Sequence, residues 1–103
     1  MANLFKNYTV SCTDTSETTA YTVPAATTAV VIGCNVANTG AASLTIDVKV
    51  AGKFLVKGAP VPVGSALSVL DGKIIGEATD TVTVTSSDAS GDVDVIVSVL
   101  EQT

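Results

Sequence analysis

Apolar and polar residues alternate with a period of two along much of this chain. The clearest run is SLTIDVKV, residues 43–50, where Leu44, Ile46, Val48 and Val50 interleave with Ser43, Thr45, Asp47 and Lys49. A strand sends successive side chains to opposite faces, so this run predicts a strand with one face buried and one in water. TVTVTS, residues 81–86, repeats the pattern with Val82 and Val84 inward. DVDVIVSVLE, residues 92–101, sets Val93, Val95, Val97 and Val99 on one side. Its other side carries Asp94, Ile96, Ser98 and Leu100, and apolar character on both faces predicts a central strand or one lying against a partner.

Less regular runs at 4–12, 18–23, 28–37, 53–58, 66–70 and 73–78 also read as strands. Val and Thr dominate them, and both favour the pleated surface. Gly33 marks a bulge or a close backbone approach within the third strand. Asp71-Gly72, between apolar runs, predicts a hairpin turn because both residues accept positive φ. The segments 13–17, 38–42, 59–64 and 87–91 are turns by composition. No stretch has helical spacing. Residues 1–103 therefore read as one all-β domain, an antiparallel β-sandwich (Ig-like or jelly-roll-like) of about eight short strands. Leu44, Ile46, Val48, Val82, Val84, Val95 and Val97 are the expected core.

Composition narrows the role. Apolar residues make up 47% of 103 residues. A chain this short builds only a thin core, so the excess goes either into a second buried sheet face or into contacts with other chains. The net charge is −5, with no Arg and no His, and all five basic residues are lysines. Such a chain repels phosphate backbones and anionic lipid, which argues against nucleic-acid and membrane partners. The N-terminus lacks the pattern of a secretion signal, so synthesis in a cytoplasm is expected. There, Cys12, in step with Tyr8 and Val10, and Cys34, in step with Val30, Ile32 and Val36, are expected as buried thiols, although facing strands could bring them within bridging distance.

Candidate chemistry is sparse. Without His, a nucleophile lacks its usual base, and Cys34 in an apolar strand is expected to be unreactive. Asp92 and Asp94, two apart on a strand, form a conceivable acid–base pair, but a solvated face explains them as well. Asp88, Asp92 and Asp94 around Gly91 are the only calcium-like cluster, and their spacing matches no EF-hand. No catalytic, cofactor or metal residues are assigned, and no enzyme is expected. The exposed ends, Leu4, Phe5 and Tyr8 at the start and Pro60, Val61 and Pro62 in a stiff loop, are the candidate subunit contacts. Residues 1–7 are a candidate arm reaching neighbouring subunits.

Four stretches carry a resemblance. They are NLFKNYTVSC, AYTVPAATTAVVIGCNVANTGAASLTIDVKV, FLVKGAPVPVGSALSVLDGKIIGEATDTVTVTSS and DVDVIVSVLEQT, and together they span nearly the whole chain. They resemble small structural proteins of tailed bacteriophage particles, especially a type met in marine phages. The resemblance implies a virion location and, as partners, the major capsid protein or other virion proteins. It implies a capsid decoration (cement) protein in a homo-oligomer, a trimer being favoured; a tail, baseplate or fibre-attachment role is the alternative. It supplies no site motif. From a different class, a small carbohydrate-binding module would need exposed aromatics, and Phe5, Tyr8, Tyr21 and Phe54 are the only ones present.

Overall fold

The structure, a computed structural model, describes residues 3–70 and 72–103. Nine strands are present among them. They are β1 (Asn3–Cys12), β2 (Thr18–Thr22), β3 (Thr28–Asn38), β4 (Leu44–Val50), β5 (Lys53–Val61), β6 (Ala66–Ser68), β7 (Ile74–Gly76), β8 (Thr81–Ser86) and β9 (Val93–Gln102). Two antiparallel sheets form a β-sandwich. Sheet A has the order β1-β9-β3-β6, with β7 also on β3; sheet B has the order β2-β8-β4-β5.

The pairing is nested. β1 pairs with β9, β2 with β8, β3 with β6 and β7, and β4 with β5. The chain is thus one long hairpin, closed at the β4–β5 turn and wound over itself so that its arms cross between sheets. That winding is a jelly roll, which decides between the two sandwich types expected.

The expected core is in place. Ile46, Val48, Val84, Val95 and Val97 are all at most 1% exposed, and Leu44 and Val82 are buried beside them. Each lies on the inward phase of a strand whose outward phase is polar or partly apolar. β9 is central in sheet A, flanked by β1 and β3, as its two-sided apolar pattern predicts.

Four sequence expectations need correction. First, the 66–78 segment is not a hairpin. β6 pairs with Asn35–Ala37 and β7 with Ala29–Val31, so the two lie end to end along β3 rather than side by side. They are one edge strand interrupted between Ser68 and Ile74, where the Val69 N–H still reaches the Cys34 carbonyl at 3.0 Å. Asp71 lies outside the described residues; Gly72 has the positive φ expected, 103°.

Second, β3 changes phase. The register with β9 shifts between Val31 and Gly33, the bulge that Gly33 suggested. Ala29 and Val31 face inward before it, Cys34 and Val36 after it, so Val30 and Ile32 do not share the face of Cys34. Third, β5 continues through Pro60 to Val61, because an edge strand does not need every N–H. Its register against β4 shifts twice. Gly58 takes φ 66° and donates its N–H to the Asp47 carboxylate at 2.7 Å. Fourth, Asp92 and Asp94 do not share a face. Asp92 precedes β9 with φ 53°.

The cysteines are separate thiols, both buried. β9 lies between their strands. Cys12 is level with Val93 and Asn38, and Cys34 is four residues further along β3. Two strand spacings and four residues place their Cα atoms roughly 16 Å apart, far beyond the ~7 Å a disulfide allows.

Candidate functional site

Among the described residues, two places concentrate unusual side chains: a buried carboxylate between the sheets and an apolar row on an outer face.

The carboxylate is Glu101, 4% exposed. It continues the inward phase of Val93, Val95, Val97 and Val99, so its strand turns it toward the other sheet. Its Oε2 accepts the Tyr8 hydroxyl at 2.9 Å and the Tyr21 hydroxyl at 2.7 Å. Its Oε1 lies 3.6 Å from Lys6 Nζ. The tyrosine rings pack together with centroids 4.6 Å apart. Tyr8 comes from β1, Tyr21 from β2 and Glu101 from β9, so the cluster closes the sandwich where β1 and β2 meet. The Tyr21 hydroxyl hydrogen bond holds the Glu101 carboxyl below the usual carboxylate range against the opposing cost of burial. Burial pushes both tyrosines up, with the Glu101 charge adding to it. The result is a fixed ion with two neutral donors and one cation. Such an arrangement pins two sheets together; its lone pairs are already engaged by residues of the chain itself.

The other titratable groups behave similarly. Burial pushes the Cys34 thiol up to about 11 and raises Cys12, so both stay protonated near neutrality. Asp92 lies beside Asp88, whose carboxyl hydrogen-bonds it and raises it. Asp94 instead accepts the Ser11 hydroxyl at 2.7 Å on the outer face. Asp88, Asp92 and Asp94 therefore do not converge, and no group of three metal-ligating side chains occurs among the described residues.

The second place is the outer face of sheet A. Phe5 is opposite Leu100, Leu100 opposite Val30, and Val30 opposite Ile75. Four apolar side chains thus form one row across β1, β9, β3 and β7. Phe5 is 76% exposed and Ile75 62%. The β3 bulge adds Ile32, 41% exposed, and Ile96 lies further along β9 at 44%. Two shallow depressions run between β1 and β9 on this face. One, about 250 Å³, is lined by Phe5, Lys6, Asn7, Ile32, Ser98 and Val99. The other, about 460 Å³, lies among Thr9, Ser11, Asp94 and Ile96.

Sheet B differs. Its equivalent outer row is Thr19, Thr83, Lys49 and Phe54. Thr83 and Lys49 both engage Glu17, at 3.2 and 3.6 Å. Phe54 is capped by Lys49 and Lys57, whose ammonium groups lie 4.8 and 5.1 Å from its ring centre. The outer face of sheet A thus carries an apolar row, whereas the equivalent row of sheet B is polar apart from the lysine-capped Phe54.

The six sequence-predicted contact residues do not form one surface. Leu4 and Phe5 are exposed at the β1 end of sheet A. Residues 3–7 are no detached arm, since they pair with Ser98–Gln102; residues 1 and 2 lie outside the described residues. Tyr8 is half-buried in the Glu101 cluster. Pro60 and Pro62 are exposed on the other sheet's edge and beyond it, but Val61 between them is fully buried, because β5 alternation turns it inward. Sequence reasoning offered Ile75 as a core or interface contact and Leu100 on a second apolar face, but it did not align them with Val30 and Phe5, since only strand pairing brings the four into line. It also missed Glu101, although the period-two phase of β9 already placed that residue on the buried side. No known protein-family model matches this chain, and no curated protein matches it either.

Proposed function

We propose that this chain is a non-enzymatic structural protein of a tailed-bacteriophage particle, a decoration or cement protein that docks on the capsid shell through the outer face of sheet A. The row Phe5, Leu100, Val30 and Ile75 carries this reading. An exposed apolar row on one outer face, with a largely polar row in the same place on the other, is the composition of a surface that is covered in use. The sequence resemblance supplies the virion and the major capsid protein as partner. The jelly roll, a winding met in viral shells and also in lectins, agrees with it by analogy of fold alone. Repetition helps a small module of this kind. A shell presents many equivalent sites, so modest contacts per copy add through effective concentration.

The test is attachment to particles. Quantifying the protein in purified virions should give hundreds of copies, and imaging labelled particles should place it on the head. Phe5→Ser combined with Ile75→Ser should fold but lose attachment. About six to eighteen copies would instead favour a tail ring, following the small closed symmetries such rings adopt. Absence from particles would overturn the virion reading.

A further inference from the structure

The four sheet edges are unequal. β5 has two register shifts, Gly58 at positive φ and Pro60. β6 and β7 have three residues each and are separated by an interruption. β2 has five residues and a shift between Thr19 and Tyr21. These are the devices by which proteins blunt an edge. β1 has none of them. It runs for ten residues with ten consecutive partners on β9 and no shift, and it contains no Pro or Gly. Its first half, Asn3–Asn7, is exposed throughout, while the second half leads into Tyr8 and Cys12 beneath β2. A charge is the remaining guard for an edge, and Lys6 is the only charge in β1; it is engaged by Glu101 of the same chain.

From this we infer that β1 is a pairing edge for a second copy of this chain, joined antiparallel about a two-fold axis. Pairing between two different edges needs two regular edges, and only one exists here. Edge pairing is therefore isologous and closes at two copies instead of growing into a fibre. Full overlap of Asn3–Asn7 with itself sets Phe5 opposite Phe5 of the second copy and Lys6 opposite Leu4. Like charges are then kept out of register, and an aromatic pair forms on the axis. The two apolar rows join into one that crosses eight strands. A two-fold unit is not the trimer that the phage resemblance favours. It rests on the edge geometry alone and does not depend on the shell.

Sedimentation velocity over a concentration series tests it. The wild-type protein should sediment as twice the 10.3 kDa chain. Phe5→Lys sets like charges face to face and should weaken the dimer by about tenfold or more. Ile75→Lys, at the far end of the row, should leave the dimer intact. Phe5→Cys should give a covalent dimer on oxidation, because Cβ atoms of paired residues lie within disulfide reach; Ile75→Cys should not. Phe5 and Ile75 are both largely exposed, and an unchanged thermal transition confirms that each variant folds. Wild-type protein that stays monomeric to about 100 µM, a range in which a useful interface is well populated, would overturn the inference. Equal losses in the two lysine variants would overturn it in favour of face-to-face packing, and failure of Phe5→Cys to cross-link would overturn the register. A monomer that still decorates particles would leave the proposed function standing. A β1-paired dimer absent from particles would do the reverse.

Discussion

The Tyr21 hydroxyl, in sheet B, donates a 2.7 Å hydrogen bond to the buried Glu101 carboxylate in sheet A, joining residues 80 positions apart in the chain. A hydrogen bond to a charged group contributes more than a neutral one, and leaving that charge short of a donor adds to the cost. Tyr21→Phe keeps the ring beside Tyr8 and removes only the hydroxyl. It should lower stability by about 2 kcal/mol and Tm by roughly 8–16 °C, measured by thermal denaturation.

The same pair governs acid stability. Glu101 is held below its ordinary range when folded, so its contribution is complete above the unfolded value of about 4.3 and is lost as pH falls through the folded one. Denaturation midpoints should therefore drop in that acid window for the wild type. The drop should be shallower for Tyr21→Phe, which removes the leading cause of the depression; parallel curves would count against this assignment.

At high pH the sign reverses. Cys34 keeps its proton up to about 11 in the folded state, and Tyr21 is raised as well, both chiefly by burial. The unfolded chain releases those protons earlier, the thiol near 8.5 and the phenol near 10. Between these values the native state binds more protons, so stability falls as pH rises. Cys34→Val should reduce the first part of that fall, the remainder there belonging to the buried Cys12 thiol, and leave the part above about pH 10.

Reducing agent should not change Tm, because the two thiols are unpaired and far apart along the sheet. A thiol reagent should react slowly with the native protein and with both cysteines after denaturation. A fall of many degrees on reduction would require a bridge that this topology forbids.

Ile46 is 1% exposed at the centre of β4, flanked by β5 and β8. Ile46→Asp buries an unpaired carboxylate and opens a cavity together. The cost should exceed about 4 kcal/mol, enough to leave the chain unfolded by circular dichroism at 25 °C.

These expectations differ in how much of them the sequence alone could supply. β4 and β8 were legible because each alternates apolar with polar residue types, and a period of two then leaves a single reading. β3 was legible as a strand but not in phase, since one extra residue at the bulge reverses every side chain beyond it. The Asp71-Gly72 pair has the composition of a hairpin, yet β6 and β7 find their hydrogen-bond partners on β3, a non-local choice that turn chemistry does not encode. The apolar row has the same origin. Phe5, Val30, Ile75 and Leu100 are scattered in the chain and become neighbours only through the nested pairing. Glu101 is the opposite case, a charge in step with four buried valines.

The shift at Ile32–Gly33 trades regularity inside for an apolar side chain outside. Shorten the chain by Ile32 and the inward positions on either side, Ala29 and Val31, then Cys34 and Val36, fall into unbroken alternation. The supernumerary residue adds nothing to the interior and instead presents an isoleucine outside. Deleting Ile32 should therefore straighten β3 and remove one apolar side chain from the outer face while leaving the interior positions filled.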